Sequence, residues 1–574
     1  MIRNVLSIYL VVFILSGSKL YSQSPDLYAQ TSEVNNIMVQ FRADYGSLSR
    51  FYFMENTFER IQRFKDLNQE YLGKLSALDF DELNVSSRVD YILFSRDLND
   101  NMYQLQAQES EMNQIKEWIT FATPVYELEK KRRRGLSMNG SEVARVLNNT
   151  LETLQAGLQK LNDTQPFDSR LTNRAEAAIK DVQRGLEHLY EFYNGYDPDF
   201  TWWVEKPFVK LDTMISRYGR LMKSKAKLIT TQQDDGSGIV GQPIGREEII
   251  RQLNQEMIPY TPEELIEIAN REFAWCDAEM LKASTELGFG KDWHAALEKV
   301  KNTYVPEGEQ PAAILKLYNE SIDFLKQNDL LTIPPVAEES WRMIMMTPRR
   351  QLVNPFFTGG EVLSISYPTN TMDHDDKLMS MRGNNPHFSR STVHHELIAG
   401  HHLQFFMNSR YKTYRRFRTP FWTEGWALYW ELLLYDLKFP QSPEDRIGML
   451  FWRMHRCARI IFSLNYHLGK WTPQQCIDFL VDRVGHEKAN AEGEVRRSFV
   501  GGYSPLYQVA YMLGGLQFWA LKKELVDSGE MTYKEYHDAV LQENSLPVEM
   551  IRATLTNQSL NKDFKTRWKF YNLR

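Results

Sequence analysis

Between positions 394 and 404 the chain reads HHELIAGHHLQ, which gathers four of its twelve histidines around one glutamate. Neutral imidazoles ligate transition metals, and a carboxylate beside them serves as a further ligand or as a general base. A hydrolytic metal centre of the peptidase kind needs two such imidazoles on one ion and a third His or carboxylate ligand. It also needs an acidic residue that takes a proton from the water the ion activates. Metal-assisted hydrolysis is therefore the chemistry this cluster points to.

The spacing departs from HExxH, in which two histidines four residues apart share one helical face. Four residues beyond His394 stands Ile398, and four beyond His395 stands Ala399. At about 100° per residue, His395 and His401 diverge by roughly 120° in an unbroken helix. His394 with His401, or His395 with His402, share a face but stand roughly 10 Å apart along the axis, too far for Zn–N bonds of about 2.1 Å. Metal binding here requires a break or bulge between Glu396 and His401, and Gly400 is the residue that permits one. Whether His401 or His402 then faces the ion is left open by periodicity.

Together with EGWALYWE at 424–431, the cluster resembles the signature of the domain-of-unknown-function 885 family. That signature is an HE-x-x-P-G-H-H-L-Q stretch and a later E-G-W-A-L-Y block. The resemblance extends over TPEELIEIANREFAWCDAEM at 261–280 and EVRRSFVGGYSPLYQVAYMLGG at 494–515, and so covers most of the chain. These proteins are similar to helical gluzincins, the oligopeptidases and carboxypeptidases, with a longer insert inside the HExxH element. Ala399 stands where the family usually has proline, and the stretch from Arg497 to Gln508 is longer than the common arginine-to-glutamine spacing.

The resemblance implies one zinc ion per chain, held by His395, His401 and Glu424. His402 is the rival of His401, and Glu431, seven residues on and on nearly the same face, is the rival of Glu424. Capping of its own helix from the first turn is the plainer role for Glu424. Glu396 is implied as the general base, which also returns the proton to the leaving amine, and His394 is expected beside the ligands. One hydroxyl among Tyr503, Tyr507 and Tyr511 is expected to donate to the tetrahedral oxyanion, and Arg497 or Arg496 to clamp a substrate carboxylate. Trp426 and Tyr429 are expected to pack or to line the cleft. His374 and His387 read as solvated loop histidines, with contact to substrate as the alternative.

The scaffold that must position these residues reads as mostly α. Apolar residues recur at three and four spacing in NNIMVQFRADYGSLSRFYFM and VARVLNNTLETLQAGLQKL. Thr261-Pro262-Glu263-Glu264 and Thr472-Pro473-Gln474-Gln475 carry helix-start signals. Residues 348–386 are the one stretch that does not read as helical, and GGEVLSISYPTNT within it has the alternation of a strand. The resemblance implies a helical gluzincin-like fold, with a small sheet edge next to the metal-site helix. By the same resemblance, N-terminal helices wall a deep cleft. The polar, glycine-rich stretch 231–245 divides an N-terminal helical region, 23–240, from a catalytic region, 241–574, the two packed as one continuous family domain.

Residues 1–22 read as a signal peptide: Arg3, an apolar run from Val5 to Leu15, then Ser16, Gly17, Ser18 and Ser22. The run is too short to span a bilayer comfortably, and no cysteine near it offers a lipid attachment point. A secreted or periplasmic protein without a stable membrane span is expected. Cys276, Cys457 and Cys476 are too few and too widely spaced for a disulfide framework and read as buried thiols. A net charge of −6 gives no electrostatic case for nucleic acid, and the basic run KKRRRG at 130–135 reads as a solvated helix end.

The leading functional reading is a zinc metallopeptidase acting on oligopeptides or chain ends. A zinc hydrolase of a non-peptide amide or ester, and a non-catalytic binding protein on the same fold, are the alternatives. A glutamate retained beside His395 speaks against the last, because a pure binding protein has no use for the base.

Overall fold

The computed structural model describes residues 32–227, 234–351 and 356–573, so the signal-peptide segment lies outside the described residues. The chain is mostly helical, as its periodicity predicts. Long amphipathic helices come first, from Asn35–Phe51 through Val85–Ile115 to Pro198–Ser224. Polar residues start them: Thr57, Asn84, Asn139 and Asp197 each accept a hydrogen bond from a first-turn amide that would otherwise lack a partner. The later helices of this run close on a core around Leu147, Val182, Leu186 and Tyr218. The earlier ones lend Ile61, Met112 and Ile115 to that core and pack elsewhere as well. Val34, Tyr71 and Leu98 share an apolar cluster with Trp426, Phe518 and Tyr536.

A buried ionic latch fastens the same junction. Arg415 is fully enclosed, with Nε 2.7 Å from Asp90 Oδ1, Nη2 2.7 Å from Ser86 Oγ, and Nη1 on the carboxylate of Glu543. Within the basic run at 130–135, Lys130 pairs with Glu59 and Glu127, and Arg132 with Glu129.

Residues 234–245 form neither helix nor strand. Helices then resume with full capping boxes at Thr261–Glu264 and Thr472–Gln475. The stretch 348–386 departs from its sequence reading, since helices Pro348–Gln351 and His374–Gly383 lie within it. HDDKLMSMRG lacks a periodic apolar face, which is why its sequence does not announce a helix. The strand signal there is real: β1 (Arg342–Met345) pairs in parallel with β2 (Val362–Ile365).

Six helices build the site: α1 (Pro386–Glu396), α2 (His401–Asn408), α3 (Pro420–Asp436), α4 (Pro443–His467), α5 (Lys488–Val500) and α6 (Tyr507–Leu525). Helices α3 and α6 touch backbone to backbone. A Cβ built on Gly425 would lie 2.5 Å from Gly514 Cα, and one on Gly514 2.1 Å from Phe421 O. The glycines of the EGW and LGG segments thus bring the start of α6 against Glu424. No helix among the described residues is long and apolar enough to cross a membrane.

Candidate metal centre

The helix break that the histidine spacing requires is present. Helix α1 ends at Glu396, residues 397–400 leave the helical path, and α2 starts at His401. The freed amides are rebonded across the break, Gly400 N to His394 O at 2.9 Å and His402 N to Leu397 O at 3.1 Å. Gly400 has an ordinary negative φ of −84°. What demands glycine is space, since a Cβ there would overlap His395 O at 1.8 Å. The Ala399 carbonyl accepts a hydrogen bond from the Trp426 indole at 2.9 Å, so a side chain of α3 braces the turn.

The break folds His401 back beside His395, with ring centroids 4.8 Å apart and planes near perpendicular. His395, Glu396 and His401 form a group that could hold a metal ion, with one ligand atom from each within 4.8 Å of the others. A second carboxylate comes closer to both rings. Oε2 of Glu424 lies 3.7 Å from Nε2 of His395 and 3.3 Å from Nε2 of His401. The Tyr507 hydroxyl donates to Oε1 of Glu424, while Oε2 is buried without a hydrogen-bond partner.

The other ring nitrogens face away from this point. Nδ1 of His395 sits 2.6 Å from Glu431 Oε1, and Nδ1 of His401 sits 3.3 Å from Gln404 Oε1. Gln404 is oriented in turn by its Nε2, which donates to Trp422 O at 3.1 Å. Burial alone pulls the His395 pKa down, but the carboxylates of Glu424 and Glu431 on either side of the ring prevail and raise it to about 9. Burial opposes ionisation of Glu431, yet Arg456 and His395 hold it at about 2. Glu424 is likewise held well below the usual carboxylate range against burial, by His401 and His395.

The rival residues are engaged elsewhere. His402 Nε2 lies 2.7 Å from the Ala337 carbonyl. Glu431 holds the far side of the His395 ring and accepts from Arg456 and Ser391, each at 3.2 Å. His394 packs edge-on against Phe439, where burial lowers its pKa to about 3. Glu424 is not a capping residue: α3 starts at Pro420 and Thr419 caps it, which puts Glu424 in the second turn. His387 pairs with Asp445 at 2.7 Å, and His374 opens the 374–383 helix. Trp426 and Tyr429 are fully buried in the core.

The cluster opens into a cavity of about 300 Å³ whose walls come from residues 356–511. The N-terminal helices expected to wall the cleft contribute nothing to that lining, because their apolar faces are spent on the cores. Tyr503, Tyr507, Tyr511 and Arg497 all line it. Arg496 does not; it binds the carbonyls of Ser237 and Gly238. The segment 356–359 borders the cavity just ahead of β2, and Gly360 N bonds to Glu396 O at 3.1 Å. A second pocket of about 770 Å³ adjoins, sharing Phe405, Thr423 and Tyr507. Sequence reasoning missed Gln404, Arg456, Arg459 and Glu494. The signal for the two arginines was their spacing, three residues apart in the largely apolar MHRCARIIF, while Gln404 closes the HHLQ stretch and Glu494 opens EVRRSF.

Comparison with known proteins places this architecture. No curated protein matches the chain. Two solved structures share the fold. One is described as "a putative lipoprotein of unknown function from Shewanella oneidensis", with a TM-score of 0.64 and 16% identity over 91% of this chain and 99% of that one. The other is described as "the putative lipoprotein from Colwellia psychrerythraea", with a TM-score of 0.56 and 15% identity over 91% and 98%. The family model described as "Bacterial protein of unknown function (DUF885)" matches residues 55–555. With that match spanning the N-terminal helices, the broken histidine helix and the EGWALYWE helix alike, the chain belongs to the DUF885 family.

Proposed function

We propose that this protein is a zinc-dependent metallopeptidase, with His395, His401 and Glu424 as the metal ligands. The observation that carries the reading is Oε2 of Glu424, a buried and unpartnered carboxylate oxygen facing two imidazole Nε2 atoms. Zn–N bonds of about 2.0–2.1 Å in tetrahedral geometry set neighbouring donors about 3.3 Å apart. The separations from Glu424 to the two rings fit that edge and favour it over Glu396 as the third ligand. Nδ1 of each ring meets a carboxylate or amide oxygen, the outer-shell support typical of ligating histidines.

A bound zinc ion would supply Lewis acidity, polarising a carbonyl and lowering the pKa of water to about 7. Glu396, which follows His395 and lines the same cavity, takes the proton from the attacking water and returns it to the leaving nitrogen. Tyr507 is occupied by Glu424 and holds that carboxylate so that only Oε2 is free. Tyr503 and Tyr511 are left to donate to the oxyanion. Burial and the Glu424 charge push the Tyr511 phenol above its ordinary pKa, which keeps its proton in place at neutral pH.

All residues of this site fall within the proposed catalytic region, 241–574. The solved structures described as putative lipoproteins support a secreted or periplasmic location, as does the signal-like N-terminus. Peptides are the proposed substrate. Glu396→Gln is expected to keep one zinc per chain and to lose turnover by about 10²–10⁴-fold, the usual worth of a general base. Wild-type turnover in that variant would remove the assignment.

A further inference from the structure

Helix α4 places Arg456 and Arg459 in the cavity wall, three residues apart on one face. They are only 5% and 3% exposed. A buried guanidinium is costly unless its donors meet acceptors, and here the pairing is incomplete. Arg456 gives one Nη2 bond to Glu431 at 3.2 Å, while its Nε has no hydrogen-bond partner. Arg459 gives Nε to Glu494 at 2.6 Å, while its Nη1 has none. Arg497 adds a third guanidinium, 3.0 Å from the other oxygen of Glu494.

Three permanent cations therefore share two carboxylates, and one of these, Glu431, is already committed to His395. The wall keeps unspent donors on Arg456 and Arg459. The Tyr511 ring ties it to the metal centre: its centroid lies 4.7 Å from Arg456 Cζ, 4.4 Å from Arg459 Cζ, and 6.2 Å from the His395 ring. Arg456 Nη2 and His395 Nδ1 meet the same oxygen, Glu431 Oε1, at 3.2 and 2.6 Å, so the wall stands within one or two residues of a carbonyl beside His395, at about 3.3–3.6 Å per extended residue.

We infer that Arg456 and Arg459 bind a substrate carboxylate one or two residues from the scissile carbonyl. Resting on the peptidase reading, this makes the site selective for peptides cut at their carboxyl end, or for an acidic side chain next to the cut. A guanidinium fork suits either carboxylate.

Binding, rather than turnover, tests this separately from the peptidase reading. Zinc-loaded full-length Glu396→Gln protein is titrated calorimetrically with an acetylated alanine tripeptide as free acid, as its C-terminal amide, and as an amide ending in glutamate. The free acid is expected to bind about 10–100-fold tighter than the plain amide, the worth of charge-assisted hydrogen bonds. Adding Arg456→Gln or Arg459→Gln should abolish that preference. Lysine at either position should restore part of it, because charge returns without the fork. Tight binding of the glutamate amide would assign the clamp to side-chain carboxylates as well. Equal binding of acid and amides by the protein with both arginines, no binding of any, or an acid preference untouched by either glutamine would overturn the inference. An acid preference without turnover by the wild-type protein would leave the clamp standing and remove the peptidase reading.

Discussion

Nδ1 of His395 lies 2.6 Å from Oε1 of Glu431, and that contact turns Nε2 of the same ring toward Glu424. One carboxylate of α3 orients the imidazole and a second, two helical turns earlier, meets it on the other side. Glu431→Gln keeps the shape and removes the charge. Zinc affinity is expected to fall about 10–100-fold, the usual effect of losing such a partner. Competition with a chromophoric chelator measures it, and unchanged affinity would remove Glu431 from the support of the site.

The pH dependence of metal binding follows from the same ring. The folded pKa of His395 is raised to about 9, above its ordinary value of 6.5. Its protonated form therefore stabilises the metal-free fold below about pH 6.5, and that contribution is lost as pH rises through about 9. Zinc requires the neutral imidazole. Apparent zinc affinity should climb about tenfold per pH unit from 7 to 9 and then level, the signature of one displaced proton. Titrations across that range check it; a flat profile would contradict the protonation of His395.

The Arg415 latch makes a prediction about stability. Its guanidinium is enclosed by Asp90 from the N-terminal helices and Glu543 from the C-terminal ones. Arg415→Met leaves the buried Asp90 without its cation and Glu543 with Lys412 alone, and should cost about 3–5 kcal/mol, read as a lower urea midpoint. An unchanged midpoint would show the latch to be dispensable.

Much of the frame was legible in the residues. Three- and four-residue periodicity marks the long helices, and the Thr261 and Thr472 boxes mark helix starts because their partners are local. The break before His401 was legible too, since no straight helix brings His395 and His401 together. What stayed open depends on contacts distant in sequence. Glu424 and Glu431 share a face of α3, and only the approach of α1 separates their positions. The choice between His401 and His402 depends on residues as remote as Ala337. Arg456 and Arg459 look like ordinary helix arginines until α4 packs against α1. The 374–383 helix escaped notice because it lacks an apolar stripe.

The metal content of the purified protein tests the central claim most directly. Elemental mass spectrometry after zinc exposure and desalting should find one zinc per chain in the wild-type protein and in His402→Ala, and none in His395→Ala. A well-folded wild-type protein without zinc, or full occupancy in His395→Ala, would contradict the account.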